Sequence, residues 1–186
     1  MEWQLLFLSI APLVAFMVFA ASARRRAGIA AAIVVAAMEL GYNSVRLGFL
    51  EPFSLLSAVL YAGLGAWSLR VDDDRPFKLQ PVVFEICAAA ALVYYEVVLD
   101  TPLLAVILKE QIGLHDALEP YQRGYATVYA TTLSRSLPVV LVLHAALTAR
   151  AAWARSTWCW FNVRVFGFYL MVGLLFLVER LLGITP

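Results

Sequence analysis

The residues with chemistry to offer are ionisable or amide groups set inside long apolar stretches: Glu39, Asn43, Arg46, Glu85, Glu96, Arg135 and His144. A charge near the centre of a bilayer costs roughly 2.5 to 3.5 kcal/mol on insertion scales, so these groups must face protein or water and find partners. Glu39, Asn43 and Arg46 stand at i, i+4 and i+7, along one stripe of a helix. Glu85 and Glu96, eleven apart, share a face, whereas Arg135 and His144, nine apart, take nearly opposite ones. Carboxylates so placed can carry a proton, hold a lipid headgroup, or pin helices together through ion pairs.

Other chemistries find little support. The chain has no HExxH, no GxSxG, no aspartate-rich diphosphate motif and no glycine-rich phosphate loop, so no residue is singled out as catalytic. Cys87 and Cys159 lie in apolar segments without CxxC or metal-ligand spacing, and neither a disulfide, a metal nor a cofactor is indicated. His115 with Asp116 reads as a solvated loop pair, and so does the run Asp72, Asp73 and Asp74 between Arg70 and Arg75. A net charge of +1, with no interleaved basic and aromatic residues, argues against nucleic acid.

The elements that must position these groups are membrane helices. Hydrophobic residues make up 63% of the 186 residues and charged residues 15%, against roughly 45 to 50% and 25% in soluble domains. The apolar blocks are about as long as the roughly 20 residues that cross a bilayer. Breaks at charge, Gly and Pro predict an all-α polytopic bundle of about six spans, at 3–22, 28–47, 52–70, 79–99, 126–149 and 158–182. Five spans with a re-entrant helix is the alternative, since Leu103 to Leu108, followed by Lys109, Glu110 and Gln111, suits an interfacial or re-entrant helix within the connection 101–124. The N-terminal run reads as an uncleaved first helix, because Glu2 stands where a signal peptide is basic and Arg24, Arg25 and Arg26 follow the run. No repeat or linker divides the chain, which reads as one integral membrane domain, 1–186.

Basic residues set the orientation. Six spans put Arg24, Arg25, Arg26, Arg70, Arg75, Lys78, Arg150, Arg155 and Arg164 on one side and Arg46, Lys109, Arg123 and Arg180 on the other, nine against four. The richer side faces the cytoplasm, so both termini face away from it. Counting residues from the span ends at about 1.5 Å each then matches three pairs in depth: Glu39 with Arg135, Glu85 with His144, and Arg46 with Glu96. Spans two, four and five are expected to meet along this polar seam, either as a closed structural network or as the wall of a ligand cavity. Gly63, Gly65, Gly167, Gly173 and the run Ala88 to Ala91 let helices approach closely, and Trp3, Trp67, Trp153, Trp158 and Trp160 fall at span ends as an interfacial belt.

Near the last span, Trp160-Phe161-Asn162-Val163-Arg164-Val165-Phe166-Gly167 resembles the W-x-N-[FV]-[KR]-V-F-G signature of the bacterial intracellular septation protein A family. Gly65-Ala66-Trp67-Ser68-Leu69, leading through Asp74 to Phe77-Lys78-Leu79-Gln80-Pro81, and Thr101-Pro102-Leu103-Leu104 to Leu108-Lys109-Glu110 are similar to two further segments of that family, in the same order over about residues 50 to 170. The family's W-x-x-L-N-x-x-W-x-x-F pattern is not evident around Tyr125 to Leu137, where Arg135 and Pro138 stand instead. The resemblance implies an inner-membrane protein of cell-envelope maintenance and septation, whose partners are membrane lipids and the membrane proteins of elongation and division. It brings no catalytic residue. The reading from residues alone keeps a small lipid or isoprenoid carrier, or an intramembrane enzyme, as the alternative.

Overall fold

The computed structural model describes residues 3–21, 24–48, 52–110, 120–154, 156–181 and 183; His115 and Asp116 lie outside them. The described residues form helices α1 (Trp3–Ala21), α2 (Arg25–Leu47), α3 (Pro52–Val71), α4 (Arg75–Lys78), α5 (Gln80–Val97), α6 (Leu103–Glu110), α7 (Pro120–Ala152), α8 (Thr157–Asn162) and α9 (Phe168–Leu181), with a π-helical turn, Val163–Gly167, joining the last two. No strand occurs among them. Among the described residues, five helices are long and apolar enough to cross a membrane: Arg25–Arg46, Ser54–Val71, Arg75–Val97, Ala126–Ala152 and Thr157–Leu181. α1 adds a helix of nineteen mostly apolar residues.

Proline and left-handed residues punctuate the chain as their backbone limits require. Pro52 and Pro120 open α3 and α7, and Pro76 sits in the first turn of α4, positions where a missing N–H costs nothing. Gly48 ends α2 at φ 73°, its N–H returned to the Ser44 carbonyl. Asp72 and Asp100, at φ 55° and 49°, turn the chain after α3 and α5, a region that short polar side chains tolerate better than most. α7 starts six residues ahead of the span expected at 126, and its 33 residues make it the longest of the described helices.

The chain forms two compact units, each described by itself: Met1–Phe84 with Thr148–Phe161, and Glu85–Leu147 with Asn162–Pro186. In the first, α1 packs along α2 and α2 along α3. Its core is aromatic. The Phe16 ring lies 4.6 Å from that of Phe77 and 6.0 Å, edge-on, from that of Trp160, while Tyr61 approaches Phe77 at 5.7 Å. Trp160 Nε1 donates to the Lys78 carbonyl at 3.1 Å, and Trp160 is 1% exposed. It is therefore a core anchor and not a member of the interfacial belt, in contrast to Trp67, Trp153 and Trp158, each more than half exposed. The Asp72 to Asp74 turn is solvated yet paired throughout: Asp72 Oδ1 accepts from Arg25 and Arg26 at 3.0 and 3.1 Å, Asp73 meets Arg75, and Asp74 holds the buried Lys78 ammonium at 3.0 Å.

In the second unit, Ala89 and Leu92 of α5 and Leu141 of α7 form a core against which Ala88, Leu103, Leu104, Leu137 and Phe168 pack. The alanine run of α5 thus admits neighbours closely, as small residues do at membrane helix contacts. Leu103 and Leu104 place the start of α6 against residues one to two turns inside α5.

Two glycines differ sharply in what a side chain would meet. A Cβ at Gly28 would stand 2.9 Å from the Phe16 carbonyl oxygen, whereas one at Gly63 meets nothing within 4 Å. Gly28→Ala should destabilise by about 1–3 kcal/mol through overpacking, and Gly63→Ala should gain up to about 1 kcal/mol of helix propensity, measured by denaturant titration in micelles. The two guanidinium groups hold the Asp72 carboxyl below its usual range, Arg26 more than Arg25. Its contribution is present above the ordinary carboxylate range and disappears as pH falls through the lowered value. Spin labels at positions 27 and 71 should separate only at that acidity, and already at neutral pH in Asp72→Asn.

Candidate functional site

α5 presents Glu85 and α7 presents His144 to each other, the pair that depth matching anticipates. Glu85 Oε2 lies 2.9 Å from His144 Nδ1, and Arg164 Nη1 donates to Glu85 Oε1 at 2.8 Å. The ring's second nitrogen, Nε2, lies 3.0 Å from the Val163 carbonyl oxygen. Side-chain exposure is 3% for Glu85, 0% for His144 and 28% for Arg164. Both carboxylate oxygens and both ring nitrogens are engaged, which a buried polar group requires. The ring is further enclosed by Phe168, edge-on at 5.5 Å, and by Gly167, where a Cβ would stand 3.5 Å from Nε2.

The π turn is what makes this convergence possible. Within five residues it supplies the Val163 carbonyl, the Arg164 guanidinium and the close approach at Gly167. Turns of this kind break the i to i+4 ladder and are frequent at functional sites. Of the family-like motif, Trp160 is buried in the first unit, Arg164 and Gly167 line the Glu85–His144 pair, and Asn162 and Phe166 are exposed. Arg164, which the charge count treats as a loop cation, is a site residue.

A second constellation differs from expectation. The sequence pairs Arg135 with Glu39 and Glu96 with Arg46; in the structure Arg135 Nε donates to Glu96 Oε1 at 2.6 Å. An arginine side chain spans more than a helical turn, so it can meet a carboxylate whose Cα lies at another depth. Ser134 and Ser136 flank it. Ser134 Oγ accepts the Leu104 N–H at 3.0 Å, capping the start of α6, and Ser136 Oγ donates to Glu179 Oε1 at 2.6 Å. Three consecutive residues of α7 thus tie α6, α5 and α9. Glu179, 4% exposed, is a buried carboxylate that sequence reasoning missed because it stands near the end of its span. Asn43 Nδ2 donates to Ser54 Oγ at 3.0 Å in the first unit, where Glu39 is half-buried and Arg46 exposed. No group of three or more His, Cys, Asp or Glu able to hold a metal occurs among the described residues.

Several long apolar helices, with ionisable groups between them held by polar partners such as those of Glu85, define a polytopic α-helical membrane protein. The chain belongs to the intracellular septation protein A family, whose model matches residues 5–185. Among curated proteins, the inner membrane-spanning protein YciB of Klebsiella pneumoniae strain 342 is 32% identical over 108 residues, 58% of this chain and 60% of that relative. The protein of the same name from Salmonella arizonae is likewise 32% identical over 108 residues, with the same coverage. The matched region thus spans 60% of the length of these relatives. No solved structure matches the chain at comparable significance.

Removing one partner of a buried, hydrogen-bonded charge leaves the other uncompensated, at about 3–5 kcal/mol. Glu85→Ala and His144→Ala should each lose stability on that scale, and the double variant less than their sum, whereas Asn162→Ala, on an exposed position, should stay within about 0.5 kcal/mol. Unfolding in mixed micelles measures all four.

Proposed function

We propose that this chain is an inner-membrane protein of cell-envelope maintenance and septation that acts through protein partners and performs no chemistry of its own. Both termini face away from the cytoplasm, with the arginine-rich turns inside. The observation that carries the reading is the closure of the Glu85 site: a carboxylate 3% exposed, with Arg164 on one oxygen and His144 on the other, has no free acceptor for a ligand. Such a node holds helices in register, a role attested for buried polar contacts. Family membership and the names of the relatives supply the cellular setting.

A second reading, a small lipid or isoprenoid carrier, is favoured by one observation. The Glu96–Arg135 pair is open where the Glu85 site is closed, with side chains 24% and 65% exposed. A guanidinium edge of that kind suits a phosphate headgroup.

Deletion of the gene should alter cell length, width or osmotic tolerance, and co-purification after gentle solubilisation should recover division or envelope-synthesis membrane proteins. Glu39→Gln, Glu85→Gln and Glu96→Gln should each restore normal morphology. Loss of function in Glu96→Gln or Glu39→Gln, with folded protein present in the membrane, would select the carrier instead.

A further inference from the structure

The hydrogen count at His144 exceeds what a neutral imidazole beside a carboxylate can supply. Nε2 faces the Val163 carbonyl at 3.0 Å, and a carbonyl oxygen only accepts, so Nε2 carries a hydrogen. Nδ1 faces Glu85 Oε2 at 2.9 Å. A neutral ring with its one hydrogen on Nε2 would present a bare Nδ1 lone pair to a carboxylate oxygen. The other tautomer would present a bare Nε2 to the carbonyl. Either way two acceptors would stand within hydrogen-bond distance, at a ring with no exposure to water.

We propose that Glu85 and His144 form a proton-binding site, holding one proton between Oε2 and Nδ1 in addition to the hydrogen on Nε2. Written as a carboxylic acid donating to a neutral imidazole, the buried pair is uncharged, and the positive charge rests on Arg164, the most exposed of the three. Written as a carboxylate and an imidazolium, it has the same number of protons. Either description satisfies every contact, with Arg164 donating to Oε1. The charged groups facing the ring are Glu85 from α5 and Arg164 from the π turn; Gly167 and Phe168 complete the enclosure and are neutral. The other charged side chains described in this unit, Glu96, Asp100, Arg135, Glu179 and Arg180, stand at least nine residues along the chain from Glu85, His144 or Arg164, about 13 Å of helical rise or more. Removal of the proton leaves one hydrogen for two acceptors, so either the bond to the π turn or the bond to α5 opens. The proton is therefore what lets α7 hold both at once. This rests on the site being closed but not on its cellular role, which the morphology assay tests separately.

The test is nitrogen NMR of histidine-labelled protein in lipid nanodiscs at neutral pH, in His115→Gln so that His144 is the single histidine. The expected spectrum shows Nε2 bonded to hydrogen and Nδ1 in a strong hydrogen bond. A bare, pyridine-like Nε2 would overturn the proposal. Glu85→Gln in the same background offers an amide N–H to Nδ1 and an amide oxygen to Arg164, mimicking the protonated acid. It should keep the Nε2–H tautomer and melt within a few degrees of the parent, and a switch to the Nδ1–H tautomer would count against the proton. Should Glu85→Gln fail to fold, a mimic of the native state has failed and the proposal falls with it.

Discussion

The constraint on which this structure depends is the absence of water as a hydrogen-bond partner inside a bilayer. In a soluble protein a half-buried glutamate can keep one oxygen in solvent; between membrane helices each oxygen needs a donor from the protein, or the group becomes costly. Glu85 shows the consequence in full. Its two oxygens draw a histidine from α7 and an arginine from the π turn, and the histidine in turn draws a backbone carbonyl. Three groups from two stretches of chain are set by the needs of one carboxylate.

The same logic explains why polar contacts concentrate on short runs. Ser134, Arg135 and Ser136 point in three directions from one turn of α7, and each satisfies a different neighbour. Ser134 is the most economical: its hydroxyl takes the Leu104 N–H, one of the donors that the first turn of a helix leaves unpaired. A helix that begins inside a membrane protein has no water to cap it, and a neighbouring side chain does so. The segment from Trp160 to Gly167 is a second such run, burying an indole in one unit and supplying a carbonyl, a guanidinium and a bare Cα in the other. That density of use sets the segment apart from the apolar stretches around it.

Much of this was legible in the residues alone. Apolar length determined where helices run, because about twenty residues are needed to cross and the backbone must satisfy itself on the way. The Glu85–His144 contact could be read from equal depth and complementary chemistry. Depth is one coordinate, however, and a pair also needs the right azimuth. Glu96 and Arg135 show the difference: the reach of an arginine lets it meet a carboxylate at another depth, and helix rotation decides which one.

Sequence by itself therefore determined the class of protein, the helical spans, the family and one of its buried pairs, since these follow from period, length and residue type. Tertiary structure alone decided that Trp160 is core and not belt, that Glu179 is buried, that Arg135 belongs to Glu96, and that Arg164 and the Val163 carbonyl complete the histidine site. The reason is the same in each case. Hydropathy records how deep a residue lies in the membrane, but which neighbour it meets depends on the rotation of each helix and, at Val163–Gly167, on a π turn that shifts the face a helix presents.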